Sequence, residues 1–310
     1  MPDAILRHVP GMRSASPVMD VEAGDLSAEI FAAEYVAQSR PCVIRGAIRH
    51  WPAMEKWRDP GHLKKRSGHH GVYFFPHENF ITVKRMEQGR IATSFAEGLD
   101  YLNAATTDVA SLGFPEPLPE LLEDVGGFSF LPQAEAPILY LPAIRHFIYR
   151  NAGTTWHFHP VDETLMSQVV GAKTIGLVNC RTPFQKTLHS ALFQEDYYED
   201  PAALEWMAKL PLEWFSATIQ AGDALYIPPL WWHGVVPATP DFGITTAVVW
   251  RSPLPVIADI IRRMAAGDID MVGFSSVEEI RRLFEAGRQA GLNLDVRRSA
   301  PLSISIRPDL

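Results

Sequence analysis

Apolar residues fall into two textures along the chain. From about residue 137 they form short runs separated by turn residues: ILYLP (138–142), FIYRN (147–151), TTWHFH (154–159), TLMSQVVGAKTIGLV (164–178), DALYIP (223–228) and ITTAVVW (244–250). Runs of this length, most of them without helical crossovers between them, predict an antiparallel sandwich or barrel. The first 136 residues are more mixed. Residues 1–24 read as an irregular arm, and Ser27 is placed to cap a helix over Ala28–Ala37. PCVIRGA (41–47) reads as a buried strand, while GVYFFP (71–76) and NFITVKR (79–85) read as a hairpin. Ser94 and Glu97 have the spacing of a capping box, and LPELLEDV (118–125) predicts a short helix. Residues 199–217 look like an insertion with a helical start. After Ser252 the period returns to that of helices, over 253–267 and again over 276–291, where Ser276 and Glu279 repeat the capping box. The expectation is a mainly β fold with helical flanks: an N-terminal elaboration (1–136) packed on a β core (137–252), then C-terminal helices (253–310), all one structural unit.

Composition narrows this. The 310 residues include 28 Lys+Arg against 36 Asp+Glu, a formal charge of −8, and 47% are hydrophobic. The apolar fraction suffices for a large core. An acidic balance without a long basic run disfavours binding by phosphate neutralisation, so no nucleic-acid partner is expected. The N-terminus lacks the apolar core of a signal peptide, and no window approaches the ~20 apolar residues of a membrane span. A cytoplasmic protein without membrane attachment is therefore expected. With 2 cysteines and 11 histidines, a metal site would rest on imidazole and carboxylate.

The densest chemical signal is Asn151-Ala-Gly-Thr154-Thr-Trp-His157-Phe-His159-Pro-Val-Asp162-Glu163-Thr164. Alternate side chains of a strand share a face, so His157 and His159 can converge on one point. Alone, such a pair serves as core histidines as readily as metal ligands. The segment Gly222-Asp223-Ala-Leu-Tyr-Ile-Pro228-Pro229-Leu-Trp231-Trp232-His233 tips the choice, since its double-proline turn delivers a third imidazole from a distant strand. Register decides the carboxylate. If Pro160 marks a bulge, Asp162 and Thr164 face inward and Glu163 outward; without one, Glu163 faces inward. The carboxylate is accordingly Asp162, Glu163 or absent.

These motifs resemble the JmjC-like branch of the cupin superfamily, the cupin-like group related to factor inhibiting HIF. PCVIRGAIRHWPAMEKW (41–57), LPELLEDV, Gly153–Lys173 and Gly222–Val235 carry the likeness. The resemblance implies a double-stranded β-helix and an oxygenase using Fe(II) and 2-oxoglutarate. It implies His157 and His233 as metal ligands; His159, read from its pairing with His157, completes the catalytic metal-site set, with Asp162 as a fourth candidate ligand. Thr154, Thr164 and Lys173 are placed with the co-substrate, Lys173 against its distal carboxylate. The chain departs from the family pattern His-x-Asp/Glu by carrying His159. Thr164 and Val248 stand where relatives can have asparagine, and no tyrosine occurs between Tyr101 and Tyr140, where many relatives place one. Three readings remain: a 2-oxoglutarate oxygenase with an unusual ligand set, a three-histidine metal enzyme that does not use 2-oxoglutarate, and a binding protein that kept the barrel without the chemistry. The substrate expected is a small molecule or a peptidyl side chain, with Tyr140, Arg145, Tyr149 and Arg150 candidates to line its pocket. The C-terminal helices could cover the barrel or pair in a homodimer.

Overall fold

A computed structural model of the chain describes residues 4–76, 90–104, 109–114, 118–131, 144–159, 162–179, 188, 191–192, 201–239, 241–252, 294–297 and 303–306. The expected strands at 79–85 and 138–142, Tyr140, and both C-terminal helices with their dimer surface lie outside the described residues.

The strands, in chain order, are β1 (Ser16–Pro17), β2 (Asp20–Glu22), β3 (Cys42–Arg45), β4 (Gly71–Phe75), β5 (Ile91–Ser94), β6 (Ala110–Gly113), β7 (Ile144–Arg150) and β8 (Thr154–His157). They continue as β9 (Asp162–Val170), β10 (Ala172–Asn179), β11 (Trp214–Gln220), β12 (Ala224–Ile227), β13 (Trp231–Pro237) and β14 (Phe242–Arg251). A separate hairpin pairs β15 (Leu294–Arg297) with β16 (Ser303–Ile306). Five strands form one sheet in the order β1-β11-β10-β13-β8, and nine form the other, β2-β3-β12-β9-β14-β7-β6-β4-β5. Apart from the parallel pairs β1–β11 and β2–β3, the ladders are antiparallel. This is the double-stranded β-helix, with N-terminal strands β2 to β6 extending one of its sheets.

The buried apolar residues separate into three clusters that follow the alternation of side chains across these sheets. Ile175, Leu177, Leu225, Ile227, Trp231 and Val235 pack between the sheets. Trp156, Val178, Trp232 and Val236 turn to the other face of the five-stranded sheet, where Ile5, Leu6 and Val9 of the N-terminal arm cover them. Phe31, Ile44, Trp57, Leu99, Leu165 and Tyr226 belong to the largest cluster, behind the nine-stranded sheet. The arm expected to be irregular thus contributes a short helix, Ala4–Arg7, whose residues Ala4, Ile5 and Leu6 are buried.

Local signals hold where capping chemistry sets them. Ser27 accepts from the Ile30 amide, though its helix continues as a π-helix over Phe31–Val36. Ser94 and Glu97 form both halves of the capping box. The stretch read as an insertion to residue 217 is shorter than that. Its helical start is a 3-10 helix, Pro201–Lys209, and Trp214 already begins β11, in which Phe215, Ala217 and Ile219 face the interior and Trp214 packs on the opposite face.

Candidate metal centre

His157 and His233 are direct cross-strand partners on β8 and β13, so their rings project to the same side, with centroids 4.1 Å apart. Leu177 of β10 pairs with His233 and sits between the sheets, which fixes that side as the interior. His159 lies just past the end of β8, held by the Leu230 amide donating to its carbonyl at 2.8 Å. Its ring centroid is 5.0 Å from that of His233 and 5.4 Å from that of His157. One ring nitrogen from each histidine can be chosen so that all three lie within 4.8 Å of one another.

Two tautomers are set by the backbone. Nδ1–H of His157 donates to the Thr155 carbonyl and Nδ1–H of His233 to that of Trp231, each at 2.9 Å. Both rings therefore present an Nε2 lone pair to the cluster. Nε2 of His233 is fully buried without a hydrogen-bond partner, which fits a nitrogen that could ligate a metal. His159 Nδ1 lies 2.6 Å from the Thr164 hydroxyl on β9, a contact that joins the two sheets. Burial pushes His157 down to about 4, helped by the Arg145 charge. His159 and His233 are also held well below the ordinary histidine value, chiefly by burial and then by their neighbours' charge. All three imidazoles are neutral near pH 7, as metal ligands must be.

The register of β9 resolves where the carboxylates point. Glu163 is directed to the outer cluster, where it accepts from Tyr226 Oη at 2.6 Å and from the Ser252 hydroxyl. Thr164, one residue on, faces the histidines, and Asp162 shares its face by alternation. Asp162 is nonetheless not part of the converging group, so of the four expected ligands the structure brings three together. Val248 packs against the outer cluster.

Thr154 and Lys173 line one recess with Ser111, Phe147, Tyr149, Ala152 and Gly153. Lys173 pairs with Pro237, four residues beyond His233 on β13, so it looks into the same interior from farther along the barrel. Its ammonium lies 4.3 Å from the centre of the Tyr149 ring and 5.8 Å from that of Phe147. Burial alone depresses it to about 7, and among the described residues no carboxylate pairs with it. The Ser111 hydroxyl is also buried and unpartnered in this recess. Sequence reasoning missed Ser111 because a single serine on a short strand carries no motif. Beyond it, Tyr149 Oη accepts from Gln168 at 3.1 Å, and Thr245 donates to Gln168 Oε1 at 2.8 Å.

Residues 27–253 match the family described as the cupin-like domain. The chain belongs to that family. This cupin-like chain is 25% identical over 231 residues to lysine-specific demethylase JMJ30 of Arabidopsis thaliana, covering 71% of the chain and 52% of the relative. It is 24% identical over 239 residues to Jumonji C domain-containing protein 5 of Drosophila melanogaster, covering 71% and 57%. With bifunctional peptidase and (3S)-lysyl hydroxylase JMJD7 of Homo sapiens it shares 24% over 243 residues, covering 66% and 76%. The cupin-like chain thus spans little more than half the length of the first two. Among its described residues, no helix is long and apolar enough to cross a membrane.

Proposed function

We propose that the chain is an Fe(II)- and 2-oxoglutarate-dependent oxygenase of the hydroxylase type, acting on a small molecule or a peptidyl side chain. The observation that carries this reading is Lys173, a buried cation without an anionic partner among the described residues, in a recess that opens on the same interior as three converging imidazoles. Its ammonium, with the hydroxyls of Thr154 and Ser111, suits a carboxylate. His157, His159 and His233 would hold the metal, and their neutral set suits a divalent ion that also takes an anionic chelating ligand. Such a centre, once loaded, activates O2 at the expense of 2-oxoglutarate, giving succinate, CO2 and one hydroxyl group on the substrate. The protein's own part is to orient the imidazoles through the Thr155 and Trp231 carbonyls and the Thr164 hydroxyl, and to keep the site dry. Relatives named for lysyl hydroxylation and lysine demethylation support a peptidyl side chain as substrate.

The three-imidazole set itself favours a second reading, a metal-dependent dioxygenase that binds its substrate directly and has no use for 2-oxoglutarate. Succinate release with Fe(II) and 2-oxoglutarate separates the two. Wild type is expected to release succinate even without substrate, slowly, and His233→Ala to release none. Iron binding without any succinate release would transfer the assignment to the second reading, and absence of iron binding would leave a non-catalytic cupin-like domain.

A further inference from the structure

We propose a second metal site on the surface of the N-terminal part, formed by His69, His70 and Glu120 and suited to a zinc-type divalent ion. Consecutive side chains diverge in a strand or a helix, but the turn between helix Pro60–Ser67 and β4 brings these two imidazoles together, with ring centroids 4.1 Å apart and planes 34° apart. One carboxylate faces both rings. Glu120 Oε2 lies 2.8 Å from His70 Nε2, and Oε1 lies 3.9 Å from His69 Nε2. The ligand atoms of the three residues are all within 4.8 Å of one another, so one ion can reach two nitrogens and an oxygen, the donor set of many zinc centres.

The arrangement is held from outside the cluster. The His70 amide donates to Ser67 and its carbonyl accepts from Phe95, at 3.1 and 2.8 Å, fixing the turn against the next helix. The Ser67 hydroxyl, fully buried, donates to Glu120 Oε2 at 3.3 Å, and Arg66 reaches the Glu120 carbonyl at 3.4 Å. Hydrogen bonding, first from its own backbone amide, holds the Glu120 carboxyl below its ordinary range, so it is anionic at neutral pH. A hydrogen bond to His70 alone would not call for His69, which stacks beside it at a distance too long for a hydrogen bond to Glu120. The His69 side chain is 70% exposed, so water can complete the coordination. An ion here would tie the end of helix Pro60–Ser67 to helix Pro119–Leu122 and shares no ligand with the interior histidines.

Cobalt(II) titration of the full chain, followed by d–d absorption and by metal content after gel filtration, tests this independently of the interior site. Wild type is expected to take up two equivalents. The double variant His69→Ala/His70→Ala and the near-isosteric Glu120→Gln should each lose one equivalent and keep the other, while His157→Ala/His233→Ala loses only the other. Zinc should raise the melting temperature of His157→Ala/His233→Ala, and adding Glu120→Gln should abolish that rise. The site is refuted if Glu120→Gln, folded by circular dichroism, binds as much cobalt as wild type, or if His157→Ala/His233→Ala binds none.

Discussion

Lys173 is where the chain bears a local cost without a local return. Lowering an ammonium from 10.5 to about 7 corresponds to roughly 4–5 kcal/mol against its charged form in the folded state. Lys173→Met is therefore expected to raise the melting temperature, while weakening 2-oxoglutarate binding about 10- to 100-fold, the range for one charge-assisted hydrogen bond. Differential scanning fluorimetry and 2-oxoglutarate titration read the two effects, and a variant that is less stable yet binds normally would contradict both. A pH dependence follows. Binding a carboxylate favours the protonated amine, so a proton is taken up on binding above pH 7. Affinity should be flat below about pH 6, fall toward tenfold per unit above pH 7, and lose that slope in Lys173→Met. Thr164 acts through His159. Thr164→Val removes the hydroxyl beside His159 Nδ1 and leaves the strand intact, so iron affinity should fall about 10- to 100-fold at nearly unchanged stability. Isothermal titration with Fe(II) under anaerobic conditions checks it; unaltered affinity would show that His159 needs no orienting partner.

Between elements, the packing of Trp156 governs how well β8 presents His157. Its indole lies across Gly176 and Gly234, which are partners on β10 and β13, and a Cβ at Gly234 would meet that ring at 2.8 Å. Its Nε1–H donates to the Ile5 carbonyl at 2.8 Å, so the N-terminal arm closes over it. Gly234→Ala should cost about 1–3 kcal/mol through overpacking and weaken metal binding, because the displaced ring adjoins His157 in the chain. Urea unfolding measures the first effect, and an unchanged midpoint would mean that the ring has room to move. Much of this was legible in the sequence. The convergence of His157 and His233 was legible because strand pairing and a double-proline turn follow local rules, whereas His159, just past the end of β8, is brought to them by a contact with the Leu230 amide. The caps at Ser27 and Ser94 read correctly by local rules too. β11 was obscured because Trp214, buried on the opposite face, sets two aromatics side by side ahead of the alternation of Phe215, Ala217 and Ile219. The absence of Asp162 from the cluster depends on where the chain re-enters β9, a tertiary matter. Ser111 became visible only once β6 had paired with β7, opposite Tyr149.

At the scale of the whole molecule, imidazoles buried in neutral form couple stability to acidity and to metal. His146 packs edge-on against Trp57 and Phe114, with Nδ1 at 3.1 Å from the Thr246 hydroxyl, and burial holds it near 4. An unfolded histidine titrates at 6.5, so between pH 6.5 and 4 the unfolded chain binds a proton that the folded one refuses. Stability from His146 is thus fully present above pH 6.5 and is lost progressively as pH falls, by about 3 kcal/mol once both states are protonated. The interior triad behaves alike in the metal-free protein, for the same reason of burial. A bound ion divides these contributions, since it competes with protons for the triad and not for His146. Urea midpoints measured from pH 7.5 to 4.5 should therefore fall steeply in metal-free protein. In His146→Leu the fall should be shallower. Metal at 100 times its dissociation constant for the interior site should add about 2.7 kcal/mol through that site at neutral pH, an increment that shrinks as acid displaces the ion; in His233→Ala only the rise due to the His69, His70 and Glu120 site should remain. Equal slopes in wild type and His146→Leu would show that His146 is protonated in the fold, and a metal increment retained at pH 4.5 would show that the ion is not held by imidazole.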